Sequence, residues 1–155
     1  MSTVYLGIGS NLGDKQAHIK KALALITERA GTILALSRFY ETKSWGYDST
    51  KTYQNIAIAI QTDLKPDTLL KTTQDIERDI GRRDKTFKGE YRDRTIDIDI
   101  LLYDDLILQT PTLTIPHSLM HLRTFVLQPL TEIAPHATHP VLQQTIAEMY
   151  HTLLS

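Results

Sequence analysis

The chain has no cysteine among its 155 residues, which excludes disulfides, thiolate metal ligands and cysteine nucleophiles. It has no apolar run near the roughly 20 residues that a membrane-spanning helix needs, so no membrane role is expected. Neither sign of charge dominates. Seventeen basic residues against 18 acidic ones give a net charge of −1, and a general nucleic-acid binder would be basic over a whole face. Low-complexity stretches, internal repeats and linkers are also missing. Met1–Gly7 shows no basic stretch followed by an apolar core, so no signal peptide is expected and the cytoplasm is the default compartment. What is present is a 41% hydrophobic chain of a length that suits one domain, residues 1–155, with a sizeable core.

Strand and helix patterns alternate along it. Thr3–Gly9 reads as an apolar strand ending in the turn Gly9-Ser10-Asn11-Leu12-Gly13. A helix follows from about Asp14, with Ile19, Leu23, Ile26 and Ala30 on one face and Gly31 as its stop. Ile33–Thr42 and Tyr53–Gln61 read as strands, the second with Ile56, Ile58 and Ile60 alternating against Ala57 and Ala59. Pro66 opens a second helix whose stripe is Leu69, Thr73, Ile76 and Ile80, with Gly81 as its end. A strand from Ile96 follows, and Tyr103–Leu106 is expected to turn it into a hairpin running through Leu108. Two short helical patterns, about His121–Ile133 and Val141–Leu154, close the chain. The order predicts an α+β fold, a ferredoxin-like βαββαβ core of α/β/α layered character with a C-terminal helical extension.

The most informative segment is Arg94-Thr95-Ile96-Asp97-Ile98-Asp99-Ile100-Leu101-Leu102. With period two, Ile96, Ile98, Ile100 and Leu102 point one way while Asp97 and Asp99 point the other. Same-face neighbours on a strand lie about 7 Å apart, so two carboxylates project side by side. A cation between them relieves their repulsion, and hard oxygen ligands suit Mg²⁺ with room left for substrate phosphates. A solvated polar strand face is the plainer alternative. Immediately upstream, Arg82–Arg94 packs six of the 17 basic residues into 13 positions. Loops of this length are often binding loops, and guanidinium groups beside a Mg²⁺ site are what phosphoryl chemistry requires. Gln74 and Glu77, three apart on the second helix, share a side near this loop. Five histidines (His18, His121, His136, His139 and His151) show no metal-ligand spacing, and Lys15, Lys20 and Lys21 read as a solvated helix face.

Six segments in order carry a resemblance. They are Gly9-Ser10-Asn11-Leu12-Gly13, Tyr53-Gln54-Asn55, Gln74-Asp75-Ile76-Glu77 leading to Gly81-Arg82, the Asp-x-Asp strand, Ile115-Pro116-His117, and Arg123-Thr124-Phe125-Val126-Leu127-Gln128-Pro129-Leu130. Together they resemble the 6-hydroxymethyl-7,8-dihydropterin pyrophosphokinases of folate biosynthesis along essentially the full chain. The resemblance implies transfer of pyrophosphate from Mg²⁺-ATP to the pterin hydroxymethyl group, with AMP released. It implies that Asp97 and Asp99 hold two Mg²⁺ ions, that Arg82, Arg94 and Arg123 contact phosphates, and that Gln74, Glu77, Tyr91, Arg92, Ile100 and His117 line the ATP site. Tyr53 and Phe125 match the pair that stacks on the pterin, Asn55 reads its amide-like edge, and Thr42 with Trp45 completes that pocket. ATP and the pterin are the expected partners, and the working form is expected to be a monomer.

Two departures stand out. Tyr91-Arg92-Asp93-Arg94 replaces a tryptophan-glycine-proline-arginine run, and Lys43-Ser44-Trp45-Gly46-Tyr47 lacks the prolines expected near Thr42. Neither removes a chemical group that the reaction needs. Two rivals remain at this stage: a non-catalytic ferredoxin-like binding module, and another Mg²⁺-dependent phospho- or nucleotidyltransferase on the same core.

Overall fold

A computed structural model describes residues 1–43, 52–81 and 95–155. In chain order the elements are β1 (Ser2–Ser10), α1 (Lys15–Arg29), β2 (Thr32–Leu36), β3 (Tyr40–Lys43), β4 (Thr52–Thr62), α2 (Pro66–Gly81), β5 (Asp97–Tyr103), β6 (Leu108–Gln109), β7 (Thr114–Ile115), α3 (Thr124–Ile133) and α4 (Ile146–Leu154). The main sheet runs β2-β4-β1-β5, with β3 also paired to β4, and every pairing is antiparallel.

Alternation builds the two faces. Val4, Leu6 and Ile8 of β1, Ile56, Ile58 and Ile60 of β4, and Ile98 and Ile100 of β5 point to one side. There they meet Ile19, Ala22 and Ile26 of α1 and Leu69, Ile76 and Ile80 of α2. On the other side Ala57, Leu101 and Leu102 meet Val126, Leu127 and Leu130 of α3 and Ile146 and Met149 of α4. The helix starts are specified locally. Asp14 caps α1 by accepting the Ala17 N–H at 3.2 Å, and Gly13 supplies the φ of +66° that admits the turn before it. Thr145 and Glu148 form a reciprocal capping box on α4, at 3.1 and 2.7 Å. The far end of α3 is fastened to β3 by Glu132, which accepts from the Tyr40 hydroxyl at 2.6 Å and from Arg38 Nε at 3.4 Å.

Four expectations change in detail. The strand expected over Ile33–Thr42 is two strands, because Ser37 interrupts it. Its N–H donates to the Ala57 carbonyl and its Oγ accepts the Ala57 N–H, both at 2.9 Å, so one residue satisfies both Ala57 groups and the chain bends away. The turn after Tyr103 exists, with Asp104 at φ 49°, but Leu108–Gln109 pairs with Thr114–Ile115 and not with β5. The pattern over His121–Ile133 is a 3-10 turn, Met120–Leu122, followed by α3. Val141–Leu154 yields a helix only from Ile146 because His139 organises the preceding turn, its Nδ1 accepting from the Val141 and Leu142 N–H groups at 3.2 and 3.1 Å. Among the described residues no helix is long and apolar enough to cross a membrane.

Candidate active site

The two carboxylates stand on β5, the outer strand of the main sheet, which pairs with β1. Asp97 lies opposite Gly9 and Asp99 opposite Gly7 in the β1–β5 ladder. Both aspartates are half-buried, and the isoleucine between them is buried on the opposite face. The alternation holds through Ile100 and then fails. A bulge where β5 passes Tyr5 and Leu6 inserts one extra residue, so Leu101 and Leu102 both join the α3 side. Leu102 therefore does not share a face with Ile96, Ile98 and Ile100, as the period alone predicts. The bulge falls beyond the aspartates and leaves their common orientation intact.

Both face a cavity of about 670 Å³ whose floor is Gly7, Gly9, Asp97 and Asp99 and whose walls come from β3, β4 and the start of α3. Thr42, Tyr53, Asn55, Arg123 and Phe125 all line it. Asn55 is 7% exposed, and its Nδ2 donates to Thr42 Oγ1 at 3.1 Å, which fixes the amide and leaves its oxygen as the acceptor over Gly9. The Arg123 guanidinium lies 5.5 Å from the Phe125 ring centroid, and Phe125 keeps 37% of its surface exposed at the rim. Arg123, the N-cap of α3, makes no side-chain cap bond, and the positive end of the helix dipole adds to its charge where the first turn lines the cavity.

His117 sits half-buried at the edge of this field. Its N–H donates to the Leu101 carbonyl at 3.0 Å, tying it to the outer edge of β5. Its Nδ1 accepts the Leu119 N–H at 3.2 Å, so in the neutral ring Nε2 carries the proton and can donate. Burial first, and the Arg123 charge second, hold its pKa below the ordinary histidine value, while Asp97 pulls weakly the other way. His117 thus serves the turn that leads into Met120–Leu122 while standing near charged groups.

The other expected residues are distributed differently. Gln74 is exposed on α2. Glu77 is half-buried and accepts the Ile98 N–H at 2.7 Å, a contact with the strand itself. Ile100 buries its side chain with α1 and α2, which leaves only its backbone to meet a ligand. Trp45, Arg82, Tyr91, Arg92 and Arg94 lie outside the described residues. Lys15, expected on a solvated face, donates to Thr52 Oγ1 at 2.9 Å. Residues not expected at the site from sequence also line the cavity, notably Gly7, Gly9, Leu122 and Thr124. Glycines inside an apolar strand were the available signal, since they mark places where something approaches the backbone closely.

Among the described residues no group of three or more histidine or acidic side chains gathers as a complete metal cage. Two carboxylates alone fit an ion that keeps waters and takes its other ligands from phosphates, as Mg²⁺ does, and they do not suit a zinc site. The fold and cavity thus define an α/β protein with a paired-carboxylate, arginine-bearing small-molecule site.

The family profile for 7,8-dihydro-6-hydroxymethylpterin-pyrophosphokinase (HPPK) matches residues 5–135. The chain is 46% identical over 136 residues to the 2-amino-4-hydroxy-6-hydroxymethyldihydropteridine pyrophosphokinase of Porphyromonas gingivalis, covering 87% of this chain and 92% of that one. It is 38% identical over 148 residues to the Aquifex aeolicus protein of the same name, covering 96% and 90%. A wild-type Plasmodium falciparum HPPK-DHPS crystal structure with pteroate shares the fold at a TM-score of 0.78 and 17% identity, over 97% of this chain and 42% of that longer one. The protein belongs to the HPPK family.

Proposed function

We propose that the protein transfers the terminal pyrophosphoryl group of Mg²⁺-ATP to the hydroxymethyl oxygen of 6-hydroxymethyl-7,8-dihydropterin, in folate biosynthesis. A new oxygen–phosphorus bond forms at the β-phosphorus as its bond to the α-phosphate oxygen breaks. The pterin diphosphate and AMP leave, and the hydroxyl proton is lost. The observation that carries this reading is the convergence of Asp97 and Asp99 on one cavity with a hydrogen-bond acceptor, two aromatic rings and an arginine.

The flat pterin would lie between Tyr53 and Phe125, with its amino and amide N–H groups on the Asn55 oxygen. Thr42 holds that amide in the accepting orientation, and Trp45 belongs to the same pocket in this proposal. Arg123 would grip phosphate oxygens in the bidentate manner of a guanidinium, joined by Arg82 and Arg94. His117, neutral and donating from Nε2, would reach the nucleotide, with Gln74, the Ile100 backbone, Tyr91 and Arg92 around it. Asp97 and Asp99 would hold Mg²⁺, two ions in the fullest form of the proposal. Bound there, Mg²⁺ would neutralise charge building on the transferring group. One aspartate would also orient the attacking hydroxyl, for which its half-buried position suits it.

The sheet order and uniformly antiparallel pairing support a ferredoxin-like core in which β2 and β3 together take the second strand's place, with α3 and α4 as its extension. We take residues 1–155 as one catalytic domain acting as a cytoplasmic monomer. Incubation with ATP and the hydroxymethyl-dihydropterin, read by mass spectrometry, tests the reaction: pterin diphosphate and AMP are expected. ADP with a pterin monophosphate would mean a different transferase.

A further inference from the structure

Glu77 reaches the sheet at one particular peptide. Among the described residues β5 is the outer strand of the sheet, so every second N–H along it points away from β1 and has no strand partner among them. At Ile98 that N–H is taken by the Glu77 carboxylate at 2.7 Å. Ile98 is the residue between Asp97 and Asp99, and its side chain is buried against the α2 face. Since Ile98 directs its N–H outward, Asp97 and Asp99 direct theirs toward β1, where the opposing residues are Gly9 and Gly7. Those glycines anchor backbone only, because they have no side chains to brace a carboxylate from the side.

We propose that Glu77 is a positioning residue for the metal-binding pair, and that it acts through the Ile98 backbone. This inference rests on the Mg²⁺ assignment made above. A strand that is ladder-paired on one side only can roll about its own axis, and such a roll swings both carboxylates together. The Glu77 bond fixes the peptide at the pivot between them, and a charged acceptor makes it stronger than an ordinary ladder bond. Glu77 sits one residue after buried Ile76 and three before buried Ile80, so packing of α2 fixes where the carboxylate stands. The contact ties α2 to the metal-binding strand.

The test compares Glu77→Ala with Glu77→Gln, whose amide oxygen can still accept from Ile98. Three readouts are needed, each on the full chain with thermal unfolding as a control for folding. In the protein without metal or nucleotide, amide exchange at Ile98 should rise about tenfold or more in Glu77→Ala and stay near wild type in Glu77→Gln. With a non-hydrolysable ATP analogue, the Mn²⁺ concentration for half-saturation, read by electron paramagnetic resonance, should rise about 10- to 100-fold in Glu77→Ala and within about threefold in Glu77→Gln. Affinity for the analogue in EDTA should be unchanged in both. Wild-type exchange or wild-type Mn²⁺ binding in Glu77→Ala overturns the inference. A loss of analogue affinity in EDTA equal to that with metal also overturns it, since Glu77 would then be a nucleotide contact. If the wild-type protein binds no Mn²⁺ with the analogue, the metal assignment fails and this inference fails with it.

Discussion

Gly9 of β1 lies directly across the ladder from Asn55 of β4, and a β-carbon at Gly9 would stand 2.8 Å from the Asn55 side-chain oxygen. The glycine therefore leaves the space in which the Asn55 amide stands, the group that the proposed function assigns to the pterin edge. Gly9→Ala should push that amide aside, break its 3.1 Å bond from Nδ2 to Thr42, and weaken pterin binding about tenfold or more. ATP-analogue affinity should stay within about twofold, because the clash is on the β4 side of the cavity. Equal losses for both ligands, measured by titration calorimetry, would mean that the substitution disturbs β1 as a whole.

Asn55 on β4 and Arg123 at the start of α3 line the same cavity and should fail in different ways. If Asn55 reads the pterin edge as proposed, Asn55→Ala removes a contact made as fully with bound pterin as with the reacting one, so it should raise the pterin KM roughly tenfold with kcat little changed. Arg123→Ala removes a charge that matters most as the pyrophosphoryl group transfers, so kcat should fall by about a hundredfold or more. The reverse pattern in single-turnover kinetics would show the two pockets misassigned.

Local pattern made much of this legible. The Ile/Asp alternation from Ile96 to Ile100 places two carboxylates on one face without any knowledge of the rest of the chain, and the sheet keeps that arrangement. The stripe Leu69, Thr73, Ile76 and Ile80 describes the buried face of α2 as it stands. What was not legible depends on partners. The bulge at Leu101 follows from how β5 meets Tyr5 and Leu6, and the break at Ser37 follows from the Ala57 peptide it serves. Glu77 reads as helix-surface polarity until α2 is docked, when it proves to hold the Ile98 N–H. Gly9 reads as part of a turn, yet strand pairing runs on through Ser10, which makes it floor of the cavity.

Buried His139 gives stability a specific pH dependence. Its Nδ1 accepts two backbone N–H groups, so protonation there destroys the turn between α3 and α4. Burial first, then the neighbouring His121, hold its pKa below the ordinary value. Below about pH 6.5 the unfolded chain takes up a proton that the native state resists, so stability falls as pH falls from there toward the native pKa. The slope for one such group is at most about 1.4 kcal/mol per pH unit. His139→Asn keeps an acceptor oxygen for the turn and does not titrate. It should fold at about pH 7 and lose less Tm than wild type on moving to about pH 5. The slope should shrink without vanishing, because His117 is shifted in the same direction. Identical slopes by calorimetry would rule His139 out as a source.

The sharpest test falls on the aspartates themselves. Asp97→Asn and Asp99→Asn keep size and hydrogen-bonding shape and remove one charge each. Both positions lie in a strand whose backbone is held by β1, and both side chains stand at the cavity rather than in the core. Tm should therefore move by no more than roughly 5 °C. Activity should fall by at least about a hundredfold in each, since what is lost is electrostatic stabilisation of the transferring phosphates. The loss should track metal: Mn²⁺ half-saturation with an ATP analogue should rise in both variants, whereas pterin binding without metal should not. If both hold metal as proposed, a double variant should be little worse than the more damaged single one, because two ligands of one metal cluster act as a unit and their effects do not add. Near-wild-type turnover by either single variant at limiting Mg²⁺ would remove that carboxylate from the metal site. Full additivity in the double variant would mean that the two carboxylates do separate jobs and share no ion.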